Sequence, residues 1–87
     1  MLSAERNAAI RRVIADHARL SVDVSAVADA DDLFALGMTS YASVNVMLAI
    51  EDAFGVEFPD RMLTRNVFAS IDVLSAAVGE LSDDEVA

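Results

Sequence analysis

An all-α fold of four helices, with a long loop between the first two and a short third helix, is what the 87-residue chain predicts. Three observations carry this. Apolar residues recur at three- and four-residue intervals, the period of a helix with one buried side. Serines suited to open helices and a glycine suited to close one bound those stretches. The length admits only one domain, spanning residues 1–87, and 55% of its residues are apolar, enough for a single compact core.

In chain order, Ser3 suits an N-cap and Glu5 suits the positive end of a helix dipole. Ile10, Val13, Ile14, His17 and Leu20 then follow helical spacing, which predicts an amphipathic helix over 3–20. Residues 21–39 read as a loop, because Asp29, Asp31 and Asp32 are poor helix formers and Gly37 breaks the chain. Loops beyond about 12–15 residues are uncommon in compact domains and are often functional. This one carries its own anchors, Val22, Val24, Val27, Leu33, Phe34 and Leu36, and a turn of helix fits Asp32–Leu36. Residues 40–54 give the clearest helix, closed by Gly55. Glu57-Phe58-Pro59-Asp60 reads as a turn into a short helix over 62–68. Ser70 can cap a last helix over 70–81, with Ile71, Leu74, Val78 and Leu81 facing inward, and Ser82-Asp83-Asp84-Glu85 reads as a fraying acidic tail.

Composition excludes several classes of function. Without cysteine the chain has neither disulfides nor thiolate metal sites, and a lone His17 argues against zinc and against a serine-histidine or cysteine-histidine pair. No apolar run approaches the roughly 20 residues of a membrane span. The opening Met1-Leu2-Ser3-Ala4-Glu5-Arg6 lacks the apolar stretch of a secretory signal, so a cytoplasmic location is expected. The formal charge of −9 is unevenly spread: residues 1–20 carry a net +2, residues 21–60 hold eight acids and no base, and lysine is absent. Such a chain is repelled by nucleic acid and by anionic membrane surfaces. Its acidity either supports solubility alone or suits partners with basic patches.

The central helix is the informative element. Val46, Met47, Ile50 and Phe54 share one side of it, and Tyr41, Val44 and Leu48 share another, roughly opposite. One apolar side serves the core. The second is either covered by the long loop, through Leu33 and Phe34, or left open as a docking stripe for a partner. Ser40 stands at the head of this helix, after Gly37-Met38-Thr39. A serine there ordinarily caps the helix, but free backbone N–H groups and the helix dipole also welcome a phosphate. Gly37 would let the backbone turn sharply and leave room for an approaching enzyme.

Leu36-Gly37-Met38-Thr39-Ser40-Tyr41 resembles the attachment motif of acyl and peptidyl carrier proteins, usually written Leu-Gly-x-Asp-Ser-Leu. Val44, Met47, Ile50 and Glu51, then Phe54-Gly55-Val56-Glu57-Phe58-Pro59, then Val67-Phe68 and Ser70-Ile71-Asp72-Val73-Leu74, are similar to the same family in the same order. The match runs without a gap over roughly 33–78. The resemblance implies a four-helix bundle and a 4′-phosphopantetheine arm on Ser40, donated from coenzyme A by a phosphopantetheinyl transferase and flanked by Gly37, Met38 and Thr39. It implies a non-catalytic protein that presents an acyl group bound as a thioester while partner enzymes do the chemistry.

Thr39 replaces the usual aspartate, Tyr41 the usual leucine, and Asn45 stands where fatty-acid carriers commonly have glutamate. The helix therefore carries acids only late, at Glu51 and Asp52, and Arg61 and Arg65 add positive charge nearby. These departures make the chain look closest to stand-alone aminoacyl carriers, which are charged by ATP-dependent ligases resembling the catalytic core of seryl-tRNA synthetase. Tyr41, Val44, Asn45 and Leu48 are the expected partner contacts, a small amino acid such as glycine or alanine the expected cargo, and a monomer the expected free form. An acyl carrier for fatty-acid or polyketide-type synthesis, served by an acyl-loading enzyme, and a helical adaptor without any arm are the alternatives.

Overall fold

The computed structural model describes residues 3–83, which form three α-helices and two short 3₁₀ turns, with no strand among them. Helix α1 runs Ser3–His17, α2 Ser40–Phe54 and α3 Ile71–Asp83, and α1 packs against both others. Parts of two expectations, the Ser3 cap and the acidic tail beyond Asp83, lie outside the described residues and side chains.

Helix α1 turns Ile10, Val13 and Ile14 into the core, joined by Ala18 just past its end. The expected helix to residue 20 stops at His17, because Arg19 takes a positive φ of 55° and turns the chain away. His17 is exposed instead of on the buried face, and Ala18 takes a core position. A left-handed residue commonly ends a helix, but it is usually glycine, which is why the stop at an arginine is hard to read.

The long loop is a built strut. Val27, Leu33 and Met38 are buried, Val24, Phe34 and Leu36 are half-buried, and Val22 stays exposed. Backbone N–H groups tie it at both flanks: Ser21 donates to the Leu36 carbonyl (2.9 Å), Leu33 to Ala69 (2.7 Å), and Asp72 to Asp29 (2.9 Å). Arg11 reaches from α1 to the Val24 carbonyl (3.1 Å) and to Asp29 Oδ1 (2.6 Å). A 3₁₀ turn spans Val24–Ala26, opened by Asp23, whose carboxylate accepts from the Ser25 amide and is held below its usual pKa range by that bond. The turn expected at Asp32–Leu36 is present, with the Leu36 amide donating to the Asp32 and Leu33 carbonyls and Asp32 Oδ1 accepting from the Phe34 amide.

The expected α-helix over 62–68 does not form. A 3₁₀ turn at Asp60–Met62 follows Pro59, and its successor Leu63 leaves helical geometry at φ −85°, ψ 63°. Beyond it, Val67, Phe68 and Ala69 each donate to the residue three before, so the segment is a chain of tight turns. Thr64 competes with helix through its side chain, whose Oγ1 accepts from the Val67 amide at 3.4 Å. Packing rewards the irregular path: Phe58, Met62 and Phe68 are all buried, with the Phe58 and Phe68 rings 5.4 Å apart and tilted by 58°.

Helix α3 opens on Ser70, whose Oγ accepts from the Val73 amide at 3.2 Å, and it buries Ile71, Leu74, Ala77 and Val78. It runs on to Asp83, two residues beyond the expected end, with Leu81 only partly buried.

Candidate functional site at the head of helix α2

Helix α2 forms where the sequence predicts it, from Ser40 to Phe54. Gly55 closes it in the left-handed conformation at φ 65°. Its opening differs from the simplest expectation, because Thr39, not Ser40, is the N-cap. Thr39 Oγ1 accepts from the Ala42 amide at 3.0 Å, so the polar group standing at the motif's usual aspartate has a structural task. Ser40 becomes the first helical residue. Its side chain is exposed, and among the described residues its hydroxyl makes no hydrogen bond, while its carbonyl accepts from Ser43 Oγ at 2.6 Å.

The flanking motif divides its labour. Gly37 has a φ of 115°, a backbone conformation L side chains rarely adopt, and a Cβ there would sit 3.2 Å from the Ser21 amide nitrogen. The close neighbour is the protein's own loop, so the glycine serves the turn and this packing more directly than it clears room for an enzyme. Met38 is buried, 3% exposed, and anchors the loop in the core. The motif thus holds Ser40 up from below while Met38 itself stays out of reach.

The two sides of α2 separate cleanly. Ala42, Val46 and Ile50 are buried, with Met47 and Phe54 half-buried beside them. Tyr41 is 80% exposed, Val44 50% and Leu48 52%, and Asn45 is exposed among them. Leu33 enters the core, so the loop does not close over this outer side, although Phe34 meets Val44 and Met47 across a cavity. That cavity, about 420 Å³, opens next to the serine: Ser40, Ser43, Val44 and Met47 form its α2 side, and Leu63, Arg65 and Phe68 face them from the turn segment. Sequence reading missed it, because one wall comes from residues 63–68, which the chain brings back to α2 only after Gly55. Glu51 also proves less available than its charge suggests: its carboxylate accepts from the Phe58 amide at 2.8 Å and is half-buried. Asp52 is then the one acid of α2 that stands exposed.

Comparison with known proteins places the chain in a family. A sequence profile for the phosphopantetheine attachment site matches residues 8–78, most of the chain. The chain belongs to that family. Carrier proteins of this family are not themselves catalysts, and their prosthetic group is 4′-phosphopantetheine. The chain is 44% identical to an aminoacyl carrier protein of Agrobacterium fabrum over 81 residues, covering 93% of this chain and 98% of that one. Its fold superposes with a TM-score of 0.81 on a chain, 47% identical, from the crystal structure of an engineered Bradyrhizobium japonicum glycine:[carrier protein] ligase complexed with a carrier protein from Agrobacterium tumefaciens and AMP, covering 83% of this chain and 96% of that chain. A second similar chain, with a TM-score of 0.73 and 27% identity, comes from the complex of the B. japonicum ligase with glycylated carrier protein and covers 84% and 97% of the two chains. The residues present fit the family's prosthetic group: an exposed hydroxyl, unused for capping, stands beside a cavity of mixed polarity whose only charged wall is cationic.

Proposed function

We propose that this protein carries an aminoacyl group on a 4′-phosphopantetheine arm attached to Ser40, loaded by an ATP-dependent aminoacyl:carrier protein ligase of the seryl-tRNA-synthetase-like class after a phosphopantetheinyl transferase has installed the arm. The observation that carries the reading is the pairing of an exposed, uncapped Ser40 with an open, uncharged docking side on the same helix. The arm supplies the thiol that the cysteine-free chain lacks and holds the acyl group as a thioester. The protein's own residues supply position. Thr39 caps the helix so that Ser40 Oγ is free to form the phosphodiester, and Gly37 and Met38 fix the loop beneath it. Tyr41, Val44, Asn45 and Leu48 give the ligase an apolar and neutral surface around the attachment point.

Cargo follows from that surface. Enzymes that steer by basic patches gain association rate from acidic helices, and α2 offers one exposed acid near its far end. A ligase reading apolar and amide groups loses nothing here, and the relatives solved with a glycine:carrier protein ligase favour a small amino acid. The turn segment 60–69 takes the place that a short third helix would have in a four-helix bundle.

Intact mass after treatment with a broad-specificity transferase and coenzyme A tests the attachment. Wild type should gain one phosphopantetheinyl group and Ser40→Ala none; equal modification of both would refute Ser40. Offering the holo protein a glycine ligase and, separately, a malonyltransferase of fatty-acid synthesis tests the cargo. Efficient malonyl loading with no aminoacyl thioester would move the assignment to acyl carriage.

A further inference from the structure

The guanidinium carbon of Arg65 lies 4.0 Å from the centre of the Phe34 ring. Stacking of this kind engages the flat face of the group and leaves its in-plane N–H donors available. Arg11 and Arg61 spend theirs on Asp29 and Glu80, but Arg65 meets no acceptor among the described residues. It is exposed, and it lines the same cavity as Ser40, where no acid contributes to the wall. In a chain with 15 acids and 6 arginines, an arginine that is held in place and has no carboxylate partner is set for an anion from outside.

We propose that Arg65 is a binding residue for the phosphodiester that joins the arm to Ser40, and that Val44, Met47, Leu63 and Phe68 receive the branched hydrocarbon next to it. The proposal rests on Ser40 bearing the arm. The occupant matches the site in charge, since a phosphodiester is a monoanion and Arg presents paired N–H donors to phosphate oxygens. It matches in polarity, with an ionic head followed by two methyl groups against an apolar wall. The volume of about 420 Å³ falls in the roughly 300–1,000 Å³ range that takes small organic ligands. Because Phe34 already orders Arg65, little side-chain freedom is lost on binding. Pinning the root of the arm leaves only its outer part to swing, which raises the effective concentration of the thiol near the attachment point.

Solution NMR on apo and holo protein, with intact mass confirming complete modification, tests this. In the wild-type holo protein, nuclear Overhauser contacts should link the arm's geminal methyls to the Met47 and Val44 methyl groups, and the Arg65 Nε signal should shift from its apo position. In holo Arg65→Gln those contacts should weaken several-fold and the phosphorus resonance should narrow toward that of a freely moving phosphodiester. Arg65→Lys, which keeps the charge and loses the stack, should fall between. Apo circular dichroism checks that each variant is folded, and the wild-type contacts stand without any variant. A fully modified wild type whose changed signals stop at Ser40 and its chain neighbours, or an Arg65→Gln protein with undiminished contacts, overturns the Arg65 assignment while leaving the carrier reading intact. A wild type that cannot be modified at all overturns both.

Discussion

Helix α2 has two apolar sides built from nearly the same kinds of residue. On the inner side Ala42, Val46 and Ile50 are almost wholly buried; on the outer side Tyr41, Val44 and Leu48 remain half or more exposed. Composition cannot tell Val44 from Val46. The difference is made by what lies opposite: α1 packs on α2, whereas the loop sends Leu33 into the core and stops short of the outer side. A small domain has too few elements to cover a helix all round, so an apolar side left open on its central helix is informative about partners. Ser40 stands at the head of that helix, which puts the proposed attachment point and the open side on one rigid element.

The comparison can be broken most forcefully from the inside. Ile50→Ala removes a fully buried side chain and should lower unfolding free energy by about 2–5 kcal/mol in denaturant melts. A loss near zero would mean the inner side is not the core. A smaller effect sharpens the role of the helix head. Thr39→Ala removes the cap that frees Ser40 and should cost about 1 kcal/mol, while Thr39→Asp should keep the cap and melt within a few tenths of a kcal/mol of wild type. If both melt like wild type, Thr39 matters for recognition and not for the helix.

Much of this was legible in the chain. The bounds of α2, the glycine that closes it and the serine that opens α3 all follow from spacing and cap chemistry, because those signals act over a few neighbouring residues. The segment 62–68 was not legible as turns. Its residues admit a helix locally, and the burial of Phe58, Met62 and Phe68 together with the Leu33–Ala69 hydrogen bond decides against one. The end of α1 was misread for a similar reason, since a left-handed arginine carries no sequence mark of the kind glycine does. The place of Ser40 at the start of α2 and the exposed stripe were readable from the motif and the helical period. The capture of Glu51 by the Phe58 amide and the meeting of Ser40 with Arg65 around one cavity were not, since both depend on where the chain returns after Gly55.

Val44→Asp, followed in one preparation by thermal melting and by the rate of glycine loading onto the holo protein, tests the division of α2 most directly. Val44 is half exposed, so its unfolding free energy should stay within about 0.5 kcal/mol of wild type, while loading by the ligase should fall at least tenfold. A Val44→Asp protein that loses several kcal/mol of stability, or that keeps its stability and loads at the wild-type rate, would contradict the account.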